Sequence, residues 1–73
     1  MLIAWEIRKN ENGKFDIYKN GELLHPSIPE SWLERQLAPH GIIGDTYQDV
    51  LRQLAESGKA SVSVPLPGKF SMG

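Results

Sequence analysis

The chain has no cysteine, which removes disulfides, thiolate zinc sites and thiol nucleophiles together. It lacks a basic excess too: eight Lys plus Arg stand against nine Asp plus Glu. Phosphate neutralisation supplies most nucleic-acid affinity, so this balance argues against nucleic acid and against an anionic membrane surface. No apolar run approaches the about 18 residues that cross a bilayer. Met-Leu-Ile-Ala-Trp runs straight into Glu6 without the basic-then-apolar order of a signal peptide. Cysteine-free and leaderless in pattern, the chain is expected in the cytoplasm.

What the 73 residues do contain is periodicity. Ile3, Trp5 and Ile7 alternate with Leu2, Ala4, Glu6 and Arg8, and Phe15 and Ile17 alternate with Asp16 and Tyr18. Between them Asn10-Glu-Asn-Gly-Lys14 reads as a turn. A two-residue loop would set Asp16 on the face of Ile3, Trp5 and Ile7. A three-residue loop, Glu11-Asn12-Gly13, pairs Ile7 with Ile17 and Lys9 with Phe15 and gathers the apolar residues on one side. A one-residue slip inverts a strand, so the second register is expected, with Gly13 in the left-handed position of a G1 bulge. Asn20-Gly21 then predicts a tight turn pairing Lys19 with Glu22 and Ile17 with Leu24. The short third strand, 22–25, should end at His25-Pro26.

Two helices follow. Ser27-Ile-Pro-Glu30 has capping-box spacing, and the helix behind it offers Trp32, Leu33 and Leu37 before Pro39 and Gly41 stop it near Ala38. Ile42 and Ile43 read as a buried connection. Asp45 is expected to cap the second helix, with Gln48 reciprocal. Tyr47, Val50, Leu51 and Leu54 recur at i, i+3, i+4, i+7, a core-facing stripe that Gly58 terminates. The final strand alternates Ala60, Val62, Val64 and Leu66 with Ser61 and Ser63.

These elements predict an α+β fold, ββ(β)ααβ, in which an antiparallel sheet of order 3-2-1-4 carries both helices on one face. Residues 1–66 form a single domain, and 67–73 are expected to be a flexible tail.

Candidate chemistry is sparse. His25 and His40 are the side chains that titrate near neutral pH, and with a carboxylate such as Asp45 they could make a metal site, but there is no His-x-x-x-His spacing and no paired acidic cluster, and ordinary surface histidines outweigh ligands. Serines lack a nucleophile elbow, Glu30, Glu34, Asp45, Asp49 and Glu56 fall on helix surfaces or caps, and the glycines form no phosphate cradle. No catalytic residue, metal or cofactor is expected. Trp5 and Trp32 are both placed in the core.

Two functional expectations remain. The first is a non-enzymatic protein-interaction or regulatory module. Strand 60–64 is uncharged and lies at a sheet edge, so either the tail from Pro65 to Gly73 covers it or Ser61, Val62, Ser63 and Val64 pair with an unknown protein partner or a second copy, the reading preferred by a small margin. The alternative is a nucleic-acid-binding regulator that inserts the hairpin 8–19 into a groove with Arg8, Lys9, Lys14 and Lys19. Against it, Arg8 faces Asp16, with Glu6 and Glu11 nearby.

Overall fold

A computed structural model describes residues 2–65. Four strands, β1 (Leu2–Lys9), β2 (Phe15–Lys19), β3 (Glu22–Ile28) and β4 (Lys59–Pro65), form one antiparallel sheet in the order β3-β2-β1-β4. Between β3 and β4 run α1 (Glu30–Leu37), a 3₁₀ turn (Ala38–His40) and α2 (Gly44–Ser57). The expected α+β architecture and strand order are therefore present. Leu66 and the tail 67–73 lie outside the described residues.

The β1–β2 register is the one that keeps apolar residues together: Ile7 faces Ile17, Arg8 faces Asp16 and Lys9 faces Phe15. Gly13 adopts φ +76°, the left-handed turn position that an L side chain resists. Asn10 holds this turn. Its Oδ1 accepts the N–H groups of Asn12 (2.9 Å) and Lys14 (3.0 Å), and its backbone N–H donates to the Lys14 carbonyl at 2.7 Å.

The third strand departs from expectation. Lys19 faces Glu22 and Tyr18 faces Leu23, but Ile17 faces His25 rather than Leu24, and Phe15 faces Ile28. Two irregularities absorb the extra residues, and proline explains them. In an unbroken register Pro26, which has no N–H, would stand opposite Phe15. Bulging instead brings His25 and Ile28, which have donors, to the ladder and carries the strand three residues beyond the expected end.

Helix starts also differ. Ser27 does not cap α1: it lies in β3 at φ +51°, where its N–H donates to Asp16 Oδ1 at 2.8 Å and its Oγ accepts from Asn10 Nδ2 at 3.3 Å. The helix begins at Glu30 behind an extended Pro29, without a side-chain cap. Asp45 likewise makes no cap bond. The Ile43 carbonyl takes the Thr46 and Tyr47 N–H groups (3.1 and 3.3 Å), one of which an Asp45 cap would have used. Asp45 sits inside the first turn of α2, where its charge still complements the helix dipole. At the other end Gly58, φ +76°, donates its N–H to the Leu54 carbonyl at 2.8 Å and turns the chain into β4.

One core joins sheet and helices. Ile3, Trp5, Ile7, Phe15, Ile17, Ala60 and Val64 meet Leu33 and Leu37 from α1, Ile42, and Val50 and Leu54 from α2, with Ile28, Tyr47, Leu51 and Val62 partly buried around them. Each large side chain so buried contributes about 1.5–3 kcal/mol. Two expected members are outside it. Trp32 is 49% exposed, because α1 buries the Leu33–Leu37 row and Trp32 lies a turn position away, with the Arg35 guanidinium 5.1 Å from its ring centre. Ile43 is 59% exposed: only Ile42 points inward, bonding from its N–H to the Leu37 carbonyl at 3.3 Å.

Candidate functional site

The β3 bulge has a consequence at the end of the sheet. By pairing His25 with Ile17, it turns the imidazole to the helix-bearing face, toward the 3₁₀ turn that ends in His40. The two rings lie with centroids 5.7 Å apart, and His40 rests on Trp5 at 4.4 Å with planes tilted by 34°. Both histidines are half-buried. Burial chiefly, and then the charges of His25 and Lys19, push the His40 imidazole below its ordinary value, so the neutral form is favoured. Among the described residues no ring nitrogen of His25 or His40 makes a hydrogen bond, and the buried Trp5 Nε1 has no partner either. A buried donor left open, as Trp5 Nε1 is, is uncommon in a packed interior. No third His, Cys, Asp or Glu completes a metal cluster among the described residues.

The outer edge of β4 is the second feature. The ladder turns the backbone groups of Ala60, Val62 and Val64 toward β1, and those of Lys59, Ser61, Ser63 and Pro65 outward. Much of that edge is taken. Gln53 on α2 donates from Nε2 to the Ser61 carbonyl (3.1 Å) and accepts the Ser61 N–H at Oε1 (3.0 Å). Asp49 Oδ2 holds the same amide at 2.9 Å, and Ser57 Oγ donates to the Lys59 carbonyl at 3.1 Å. Ser63 is left as the residue whose N–H and C=O both face outward with no partner among the described residues. Pro65 has a carbonyl alone. Of the four expected contact residues, Val64 is buried and Val62 half-buried, and the backbone groups of both are committed to β1, so neither is offered at the edge.

Gln53 was not legible as a site residue. Its signal is position: it borders the Val50–Leu54 stripe and follows Asp49 by one helical turn.

Among the described residues, none covers the sheet face away from the helices. Its cross-strand rows are Asp16–Arg8–Lys59, then Leu23–Tyr18–Glu6–Ser61, then Ala4–Ser63, then Leu2–Pro65. Charges gather at the hairpin end and neutralise one another. Arg8 bonds to Glu6 at 3.1 Å and stacks 4.8 Å from the Tyr18 ring centre, while Lys59 lies 3.7 Å from Glu6. The Arg8 hydrogen bond is the first cause holding the Glu6 carboxyl below its ordinary value. At the other end, the Ala4–Ser63 and Leu2–Pro65 rows carry no charge among the described residues, and Leu2 is 66% exposed.

The four basic candidates do not share a surface. Arg8 is on the uncovered face, whereas Lys9 turns to the helix side and lines a cleft of about 280 Å³ with Phe15, Glu30, Leu33, Leu51 and Leu54. Lys14 sits by the hairpin turn, and Lys19, across from Trp5, is the last residue of β2, near His40. Asp16, the expected counter-charge to Arg8, spends its carboxylate on Ser27 and Asn10.

Compared with family models, curated proteins and solved structures, the chain matches none of them.

Proposed function

We propose that the protein is a non-catalytic interaction module that pairs with a second copy of itself along the outer edge of β4. The observation that carries this reading is Ser63: a full donor–acceptor pair at a sheet edge, next to the uncharged Leu2, Ala4 and Pro65 end of the uncovered face. An antiparallel two-fold arrangement centred on Ser63 forms two backbone bonds between copies and brings the two uncharged ends together. Lys59 and Glu6 remain at the far end, where they oppose no like charge. With Ser61 held by Gln53, the contact is small and the association weak.

Sedimentation equilibrium up to high micromolar concentration tests it. A reversible dimer that Ser63→Pro abolishes is expected, because proline removes the outward N–H while an edge position tolerates its ring. A monomer throughout that range, or a dimer indifferent to Ser63→Pro, overturns the assignment.

A further inference from the structure

We infer that His25 and His40 form a two-imidazole site for a borderline divalent transition ion of the Zn²⁺, Ni²⁺ or Cu²⁺ class. Imidazole nitrogen is the ligand these ions share. The spacing fits. Adding a ring radius of about 1.1 Å to a metal–nitrogen bond of about 2.0 Å puts each ring centre roughly 3.1 Å from a shared ion. Two such rings stand roughly 5 Å apart at a tetrahedral angle and roughly 6.2 Å apart when opposed. The observed 5.7 Å falls between these limits.

The setting fits as well. His40 is half-buried between Trp5 and His25. The ring nitrogens are not committed to other hydrogen bonds among the described residues, so binding breaks no existing contact. The 3₁₀ turn and the β3 bulge fix the two backbones from different parts of the chain, so the pair is organised before an ion arrives. Both side chains reach solvent, and with no third protein ligand among the described residues, water fills the remaining positions. Lys19 opposes the ion, since its positive charge acts on the same ring.

The test is calorimetric titration of the full chain with Zn²⁺ and with Ni²⁺ at neutral pH, alongside tryptophan fluorescence. One ion per chain is expected, with Ni²⁺ quenching the Trp5 that touches His40. His25→Gln and His40→Gln should each weaken binding about tenfold or more, at least the loss seen when a supporting group is removed. Lys19→Gln should tighten it by roughly threefold, the scale of one partly screened charge. His40→Gln disturbs the Trp5 contact, so its fold is checked by circular dichroism. Should it unfold, His25→Gln on the strand bulge decides the matter. Absence of binding at millimolar ion, or binding unchanged in His25→Gln, overturns the site.

Discussion

The side chain of Gln53 completes the β-ladder at Ser61 as a neighbouring strand would, giving one bond to its carbonyl and taking one from its N–H. A helix thereby closes part of a sheet edge that no strand covers among the described residues. The device is compatible with solubility, because an unpaired edge is a template for further pairing.

Gln53→Ala should therefore open the edge. The Ser61 amide is expected to exchange with solvent faster, and self-association to strengthen, since Ser61 joins Ser63 as an available pairing residue. The fold itself should lose about 1 kcal/mol, the ordinary net worth of such bonds. Hydrogen exchange and sedimentation on the same sample read both effects. Exchange at Ser61 no faster than in the parent would show that the amide does not guard the edge.

Acid should destabilise the protein through His40. Its folded value lies below the ordinary 6.5, from burial first and then from His25 and Lys19. The unfolded chain thus binds the proton more readily than the folded one. Stability is fully present above about pH 6.5 and is lost as pH falls from there through the folded value. Urea unfolding followed by Trp fluorescence at several pH values checks this. His40→Gln should flatten that segment of the profile, and His25→Gln should make it shallower by removing a neighbouring positive charge. An unchanged slope in His40→Gln would assign the titration elsewhere.

Asn10 is expected to matter more than an exposed turn residue ordinarily does. Its Oδ1 gathers two backbone donors within the turn, and its Nδ2 reaches Asp16 and Ser27 across the sheet. Asn10→Ala should cost about 1–3 kcal/mol, as several partners lose their bonds at once. Urea denaturation gives the value. A loss within experimental error would mean that water replaces these bonds without penalty.

The pattern of what was legible follows from the range of the interactions. The β1–β2 register could be read because a wrong slip places Asp16 among Ile3, Trp5 and Ile7, a cost visible in the alternation itself. The α2 stripe and the Gly58 stop were equally plain. Where reading failed, a distant group had claimed a local signal. Ser27 had every mark of a helix cap, yet Asp16 and Asn10 on the hairpin hold it. Asp45 lost its role to the Ile43 carbonyl, a backbone competitor that composition does not display. Trp32 and Ile43 stay outside because a short helix and an extended link bury only one side each. The histidine pair depended on a bulge imposed by Pro26, and the unbroken register expected through 22–25 concealed it. Gln53 was invisible for a similar reason: its partner is backbone eight residues on, in another element.

The pairing of Leu2 with Pro65 and of Trp5 with Val62 has a kinetic consequence. On the ribosome β1 is made well before β4 and waits for it before its second flank is satisfied, while Ile3, Trp5 and Ile7 remain sticky. Such distant closure raises the contact order and favours all-or-none assembly over stepwise growth. A nascent chain cut short before β4 should thus be a target for chaperones and proteases rather than a smaller version of the same fold.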